Sequence, residues 1–523
     1  MSARLLWVDD EIDLLRPHIL FLEKKDYQVT TASNGPDAID LCREGRFDLI
    51  LLDENMPGLS GLETLEKLKE VAPNVPVVMV TKNEEEDIMD QAIGSKIADY
   101  LIKPVNPRQI LLTLKKNLHQ RDLVQEVAQT AYRNDFPRID LQMGEQLSPE
   151  EWADLYRRLV HWEIELSEAD APMAELLTQQ KAEANAAFGK FVTKHYEHWV
   201  NTPGERPVMS PDIFKTAVFP RLDKGRQVFL IVLDNFRFDQ WRMLSGELSE
   251  AFDIDENLYY AILPTATQYA RNAIFAGLMP LHIKEMYPSL WVDEDEDEGK
   301  NLNEAALIGE QLKRFRRKEA YSYHKVNDSV GAEQLLRELP NLSGTPLNVL
   351  VINFIDILSH ARTESRMVRE LAGSEGAYRS ITLSWFRHSP VRELFARLSQ
   401  MPCDVIITTD HGSIRTTQPS KVVGDRNVNT NLRYKMGRNL SFQAKEVFHV
   451  REPRRVLLPQ PNLSTTYIFA MGNRFFAYPN NYNHYVQYYT DTFPHGGVSM
   501  EEMLVPLITL TPKSGTATTD IFI

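Results

Sequence analysis

The 523-residue chain contains only two cysteines, Cys42 and Cys403. They lie far apart, in segments that we assign to different domains, which excludes a disulfide framework. The remaining composition is that of an ordinary folded protein, with 43% hydrophobic and 25% charged residues. The sequence therefore predicts a protein of a reducing compartment, the cytoplasm.

Long apolar runs and an excess of positive charge are also missing. No uncharged apolar stretch reaches the roughly 18 residues that a membrane span needs, and acidic residues interrupt the N-terminus before a signal-peptide core. The net charge of -15 argues against general binding to nucleic acid or anionic membranes. A DNA-binding regulator is also disfavoured, because no helix-turn-helix with a basic recognition helix follows the N-terminal domain.

The pattern of apolar runs divides the chain into three segments. In residues 1–120, five runs alternate with amphipathic helices, which predicts a flavodoxin-like, five-stranded doubly wound parallel sheet. Residues 121–205 predict a helical connector bundle, and residues 206–523 return to an α/β pattern. The predicted strands of this last segment lie within VFLIVLD (228–234), YYAILPT (259–265), NVLVINF (348–354) and DVIITTD (404–410). The predicted N-terminal strands are LLWV (5–8), YQVTT (27–31), FDLILL (47–52), VPVVMV (75–80) and ADYLI (98–102).

The connector has aromatic residues at helical intervals and a clear helix start. In Ser148-Pro149-Glu150-Glu151 the serine can cap, proline takes the first helical position and glutamate the third. Structural packing is the simpler interpretation of the connector. The alternative is that it transmits the state of the N-terminal domain.

Five polar residues follow the predicted N-terminal strands, at the edge where ligands bind in such sheets. They are Asp9, Asp10, Asp53, Thr81 and Lys103. Three carboxylates together call for a hard divalent cation, and Mg²⁺ prefers oxygen ligands while keeping positions open for phosphoryl oxygens. Lys103 and the Thr81 hydroxyl could hold other phosphate oxygens, and the central Asp53 is the candidate nucleophile.

These residues resemble the receiver domain of bacterial response regulators. DENMPGLSG (53–61) resembles the segment around the phosphorylated aspartate, Lys103-Pro104 the lysine before a cis-proline, and Tyr100 the aromatic switch residue. Lys82 departs from the small residue usual after the threonine. The resemblance implies phosphorylation of Asp53 by a sensor histidine kinase, with Mg²⁺ held by Asp9, Asp10 and Asp53.

A second set of donors lies in the C-terminal segment. Mixed imidazole and carboxylate ligands favour zinc, with manganese as the alternative, and the set is large enough for two ions. Two ions about 4 Å apart can clamp the attacking and leaving oxygens of a phosphoryl displacement. A nearby dication also activates a threonine hydroxyl. The candidates are Asp234, Thr267, Asp356, His360, Asp410, His411 and His495.

This second set resembles the PglZ branch of the alkaline phosphatase superfamily. The resemblance implies that one zinc ion takes Asp356, His360 and His495. The other takes Asp234, Asp410, His411 and the nucleophile Thr267.

Three residues near Thr267 are further candidates for roles in this site. Thr265 is a rival nucleophile, although the pattern Pro-Thr-x-Thr favours the second threonine, Thr267. Nearness to Thr267 makes Arg271 and Asn272 candidates for substrate binding.

Two charged stretches flank these motifs. The acidic run DEDEDE (293–298) predicts a solvated loop. Residues 421–455 contain nine Lys/Arg and three Asp/Glu. This basic segment is either a solvated loop or a rim that attracts phosphodiesters, and the first is favoured. Its named cations are Lys421, Arg426, Arg433, Lys435 and Arg438.

A receiver followed by a PglZ-type domain is similar to response regulators of the type IX secretion system. The resemblance implies phosphodiesterase activity on nucleotide or oligonucleotide phosphodiesters, and a homodimer on phosphorylation. It also suggests a sigma factor or a secretion-system component as partner. The alternative is an effector domain that captures a signalling nucleotide or a transcription factor without turnover.

Overall fold

The computed structural model describes residues 3–82, 97–167, 171–294, 296, 299–358, 374–425 and 428–513, without the side chains of 119–124. Contacts divide the chain into two compact units, Met1–Asn134 and Asp135–Ile523. Among the described residues, no helix combines the length and the apolar character that crossing a membrane requires.

The first unit contains the predicted parallel sheet, with strand order β2-β1-β3-β4-β5. Leu5, Leu6, Trp7 and Val8 are all fully buried, because helices cover both faces of the sheet. The helix predicted between the last two strands lies outside the described residues. The elements are β1 (Arg4–Val8), α1 (Arg16–Glu23), β2 (Gln28–Ala32), α2 (Gly35–Glu44), β3 (Leu49–Asp53), α3 (Gly61–Val71), β4 (Val77–Thr81), β5 (Asp99–Ile102) and α4 (Pro107–Met143).

The connector is helical, as predicted, with α5 (Pro149–Glu165) and α6 (Ala171–Asn201) following α4. The expected cap at Ser148 is present: its hydroxyl accepts the N–H of Glu151, whose carboxylate accepts the N–H of Ser148. Aromatic side chains of α6 pack on the following domain, with the ring of Trp199 5.3 Å from that of Tyr260. Helices α5 and α6 therefore share one compact unit with the effector domain.

The effector domain is built on a mixed sheet of order β7-β16-β10-β6-β9-β8. Four neighbouring strands, β10, β6, β9 and β8, are parallel, and β16 is antiparallel to both β10 and β7. Its strands are β6 (Gln227–Leu233), β7 (Phe252–Tyr260), β8 (Tyr321–Val326), β9 (Leu347–Ile352), β10 (Cys403–Thr408) and β16 (Leu504–Pro512). Two small sheets, β11-β15 and β12-β14-β13, use β11 (Gln418–Lys421), β12 (Tyr434–Gly437), β13 (Val447–Val450), β14 (Thr466–Ala470) and β15 (Arg474–Ala477).

Helices cover this sheet and carry several of the site residues. They are α7 (Phe219–Asp223), α8 (Phe238–Leu248), α9 (Thr267–Ala276), α10 (Pro280–Met286), α11 (Glu304–Arg314), α12 (Ser329–Glu338), α13 (Glu375–His388), α14 (Pro390–Leu398), α15 (Tyr482–Tyr489) and α16 (Met500–Met503).

One strand differs from the sequence-based expectation. The apolar run YYAILP (259–264) predicted a strand, but β7 covers Phe252–Tyr260 and ends early in that run. Acidic residues alternate along β7 because it is an edge strand with one face toward solvent. The apolar residues after Tyr260 are instead buried without forming a strand, and they lead into the Thr267 loop.

Candidate metal centres and nucleophile

The acidic pocket of the first unit forms at the carboxyl edge of its sheet. Asp9, Asp10 and Asp53 offer carboxylate oxygens that all lie within 4.8 Å of one another. Lys103 Nζ lies 2.8 Å from Asp9 Oδ2 and 3.1 Å from Asp53 Oδ2. Oδ1 of Asp53 is buried and accepts no hydrogen bond from the described residues. A cluster of this kind fits a divalent cation.

Burial raises the pKa of the Asp53 carboxyl, the hydrogen bond from Lys103 lowers it, and the charge of Asp9 raises it again. Thr81 ends β4, and its carbonyl accepts the N–H of Lys103 at 2.7 Å. Tyr100 on β5 is 42% exposed. Lys82 pairs with Glu11 at 3.3 Å.

In the effector domain, loops from several strands meet at one edge of the mixed sheet. Asp234 follows β6 directly, and Asp410 follows β10 by two residues. Because β16 is antiparallel to β10 and β7, its first residue lies at this same edge, opposite Tyr260. The segments that carry Thr267 and His495 therefore reach the carboxyl ends of the parallel strands, where α/β sites form.

Thr267 lies beside one cluster of predicted ligands. Its Oγ1 is 3.1 Å from His411 Nε2 and 3.5 Å from Asp234 Oδ1. Asp234, Asp410 and His411 each offer a ligand atom within 4.8 Å of the others, and all three are buried. Thr267 is the first residue of α9, so its hydroxyl also sits at the positive end of a helix dipole.

The second predicted ligand group adjoins the first. The imidazole rings of His411 and His495 stack with centroids 4.0 Å apart. Nε2 of His495 lies 3.8 Å from Asp356 Oδ1, so these two donors also face each other. His360, the third predicted ligand of this group, lies outside the described residues.

The electrostatics of the first cluster fit a bound cation. Burial, followed by the charge of Asp410, raises the pKa of Asp234 to about 7, while Arg271 lowers it. Burial also raises the pKa of Asp410 and lowers that of His411. Oδ2 of Asp410 is buried and accepts no hydrogen bond from the described residues. Arg271 compensates part of the charge of the two aspartates, and a dication there would add to this compensation.

Thr265, the rival nucleophile, is fully buried and already engaged. Its hydroxyl donates to the carbonyl of Gly497 at 2.8 Å and accepts the N–H of Gly496 at 3.0 Å. Its carbonyl oxygen lies 2.9 Å from Nδ1 of His495. These contacts hold the His495 loop, so that of the two candidate nucleophiles it is Thr267 whose hydroxyl contacts the predicted ligands.

Arg271 and Asn272 do not sit as expected for substrate-binding groups. Arg271 is 2% exposed, with Nη1 2.8 Å from Asp234 and Nε 2.7 Å from Glu304. The amide of Asn272 donates to the carbonyls of Gln268 and Lys300. Arg271 therefore orients Asp234, and the Asn272 amide joins α9 to the loop after it.

Arg433 and Glu502 form a buried ion pair that no local sequence pattern indicates. Nη2 of Arg433 lies 2.7 Å from Glu502 Oε2, and both side chains are fully buried. Glu502 Oε1 also accepts the N–H of Gly497 at 3.0 Å. Gly496 has φ +125°, and a Cβ there would lie 2.6 Å from the ring of Tyr434, so this loop requires glycine.

In both charged stretches, some of the described charged residues are buried or hydrogen-bonded within the fold. In the basic segment, Arg433 and Lys435 are buried, and burial lowers the pKa of Lys435 to about 7. Lys421 and Arg438 are exposed, and Arg426 lies outside the described residues. In the acidic run, Glu294 accepts hydrogen bonds from two tyrosine hydroxyls. Charged composition alone places these residues at the surface. The fold instead buries some of them together with hydrogen-bonding partners.

Three family models match the chain in order. The response regulator receiver domain matches residues 5–115, the PorX response regulator linker domain 122–200, and the BREX system PglZ alkaline phosphatase-like domain 213–510. This is the domain order of a PorX-like response regulator.

Individual proteins match about a quarter of the chain. The chain is 35% identical over 133 residues to the transcriptional regulatory protein ResD of Bacillus subtilis, covering 25% of this chain and 52% of that protein. It is 34% identical over 120 residues to SrrA of Staphylococcus aureus, covering 23% of this chain and 49% of that protein. The chain thus spans about half the length of these curated relatives.

Two solved structures also match part of the chain. A CheY-like receiver from Methanospirillum hungatei has a TM-score of 0.23 at 29% identity, covering 23% of this chain and 98% of its own. Chemotaxis protein CheY4 of Vibrio cholerae has a TM-score of 0.22 at 29% identity, covering 22% of this chain and 98% of its own.

Proposed function

Because the chain belongs to the PglZ alkaline phosphatase-like family and carries an N-terminal receiver, we propose that it is a two-component response regulator with a zinc-dependent phosphodiesterase effector. Asp53 is the phosphorylated residue and Thr267 the nucleophile. The receiver implies a phosphodonor such as a sensor histidine kinase.

One observation carries the hydrolase assignment: the Thr267 hydroxyl adjoins a buried cluster of metal-type ligands, one oxygen of which lacks a hydrogen bond within the part of the chain that the structure describes. Oγ1 lies 3.1 Å from His411 Nε2, and Oδ2 of the nearby Asp410 lacks a hydrogen bond from the described residues. A structural metal site has no need of an aligned hydroxyl. This arrangement supports attack by Thr267 on a phosphorus atom.

The predicted ligands would divide between two zinc ions. Asp234, Asp410 and His411 would hold one zinc ion; Asp356 and His495, with His360, would hold the other. The ions would supply Lewis-acid stabilisation of the phosphoryl oxygens.

The other neighbours act through the ligands. Arg271 orients Asp234, and Thr265 orients His495. The N-terminus of α9 stabilises negative charge that develops near Thr267.

The substrate class and cellular role extend the proposal. We propose nucleotide or oligonucleotide phosphodiesters as substrates, attracted by exposed cations of the basic segment that include Lys421 and Arg438. The matched linker family supports a PorX-like role in regulating type IX secretion, with a sigma factor or secretion component as partner.

Removing the metal tests the proposed hydrolase. Protein treated with a chelator is expected to lose hydrolysis of bis-p-nitrophenyl phosphate, because the ligands alone cannot stabilise the phosphoryl charge. Adding back zinc, but not magnesium, should restore the rate, followed as nitrophenol release. Absence of hydrolysis under zinc, manganese and magnesium alike would refute the phosphodiesterase.

Asp53→Asn tests the receiver independently of the effector. Incubation with acetyl phosphate and Mg²⁺ is expected to add one phosphoryl group to the wild type and none to the variant, because the amide is not a nucleophile. Intact mass spectrometry measures this.

The matched control for that test is Asp40→Asn, which alters an exposed carboxylate on α2. Phosphorylation of the Asp53→Asn protein to the wild-type extent would exclude Asp53 as the acceptor. Size-exclusion chromatography of the same samples tests the proposed homodimer.

A further inference from the structure

A buried charge network lies between the connector helices and the loops of the effector site. The carboxylates of Glu163, Asp239 and Glu375 approach within 4.8 Å of one another, as in a metal site. The chain's own cations occupy that position instead, because guanidinium and ammonium groups pair with all three. The network comprises Glu163, Lys181, Arg237, Asp239, Glu375, Arg379 and Glu501.

Lys181 is the member that joins the connector to α16. Its Nζ lies 2.8 Å from Glu163 Oε2 on α5 and 3.4 Å from Glu501 Oε1 on α16. One turn further along α6, Asn185 donates to Glu501 Oε2 at 2.9 Å and accepts the N–H of Met500 at 2.8 Å. Two side chains of α6 therefore fix the position of α16.

Residues of α16 also hold both histidine loops. A Cβ on Gly412 would lie 1.9 Å from the carbonyl oxygen of Glu501, so the residue after His411 packs directly on α16. The N–H of Gly412 donates to the carbonyl of Glu502 at 3.0 Å. The Glu502 side chain holds the Gly497 N–H. A shift of α16 would therefore displace His411 and His495 together.

We propose that Lys181, a connector residue, is a positioning residue for the effector metal centre, acting through Glu501 and α16. The connector helix thereby completes the active site. This inference rests on the proposed function, because it assumes that the two histidines bind metal. Groups that orient metal ligands typically change metal affinity by about 10- to 100-fold when they are removed.

The same part of α6 also contacts the end of α4. Gln180, adjacent to Lys181, donates to Asp140 Oδ1 at 2.7 Å and to the carbonyl of Phe136 at 3.1 Å. Helix α4 begins at Pro107, within the first unit. The C-terminal part of α4 is thus hydrogen-bonded to the residue next to the lysine that positions α16.

The test compares Lys181→Met with Lys181→Arg in the full chain. Zinc affinity, measured by competition with a chromophoric chelator, is expected to fall about tenfold or more in Lys181→Met. Lys181→Arg should return it to within about threefold of the wild type, because arginine keeps the charge. Lys190→Met is the matched control, since Lys190 is an exposed lysine on the same helix.

Zinc affinity of Lys181→Met within threefold of the wild type would overturn the proposal. If Lys181→Met fails to fold, the zinc affinity of Asn185→Ala is judged by the same tenfold and threefold limits. This variant removes the hydrogen bonds to Glu501 and Met500 without leaving an unpaired charge. The competition assay needs no turnover. A wild type that binds zinc but hydrolyses no phosphodiester would refute the proposed function and leave the role of Lys181 to be judged by affinity alone.

Discussion

Thr267→Ala is expected to lower kcat/KM for a phosphodiester by at least about a thousandfold, since loss of a nucleophile removes the covalent route altogether. The variant should keep its zinc, because Asp234, Asp410 and His411 can each offer a ligand atom without the hydroxyl. Initial rates with bis-p-nitrophenyl phosphate, alongside elemental analysis of the same samples, measure both quantities.

Two conservative variants make this result specific. Thr267→Ser retains an oxygen and should keep measurable activity, whereas Thr265→Ser should resemble the wild type because it preserves both hydrogen bonds to the His495 loop. Equal rates for Thr267→Ala and wild type would instead favour the alternative of a binding module that captures a nucleotide without turnover.

The buried strands were predictable because their signal is local. Runs such as VFLIVL and the N-terminal LLWV are apolar on both faces, which identifies strands covered on both sides. Polar residues directly after such strands, including Asp53, Asp234 and Asp410, fall at one sheet edge by topology alone. That logic places the candidate ligands without knowledge of any tertiary contact.

The strand β7 was harder to predict because its own residues have a weaker strand signal than the apolar run that follows it. FDIDENL alternates, but its acidic face resembles a solvated segment, while the following YYAILP has stronger apolar character. Pairing with β16, about 250 residues later in the sequence, decides the matter. Local propensity contains no information on that partner.

The residues that support the site were not identifiable from the sequence for a similar reason. Thr265, Glu502 and Lys181 act through partners that are distant in the chain, and their residue types are common. In the basic segment, composition could not distinguish buried Arg433 from exposed Arg438. Only the fold shows that one arginine has a carboxylate partner and the other faces solvent.

Arg433→Met is expected to destabilise the effector domain by about 3–5 kcal/mol, because it leaves Glu502 buried without its cation. Both partners are fully buried, so solvent cannot screen the remaining charge. Denaturant unfolding of the full chain, followed by tryptophan fluorescence, reports mainly this domain, since six of the seven tryptophans lie in residues 135–523. Arg438→Met, at an exposed position of the same segment, is the control.

Adding Glu502→Gln to Arg433→Met should recover part of the loss, because the double variant no longer buries an unpaired charge. The double variant should bind zinc about as tightly as the wild type, since the carbonyl oxygen of glutamine can still accept the Gly497 N–H that holds the His495 loop. An Arg433→Met protein that unfolds at the wild-type denaturant concentration would show that the pair contributes nothing to stability. The joint result separates the two consequences of one buried carboxylate: its charge stabilises the domain only when paired, whereas its hydrogen bond to the loop sets the geometry of a metal ligand.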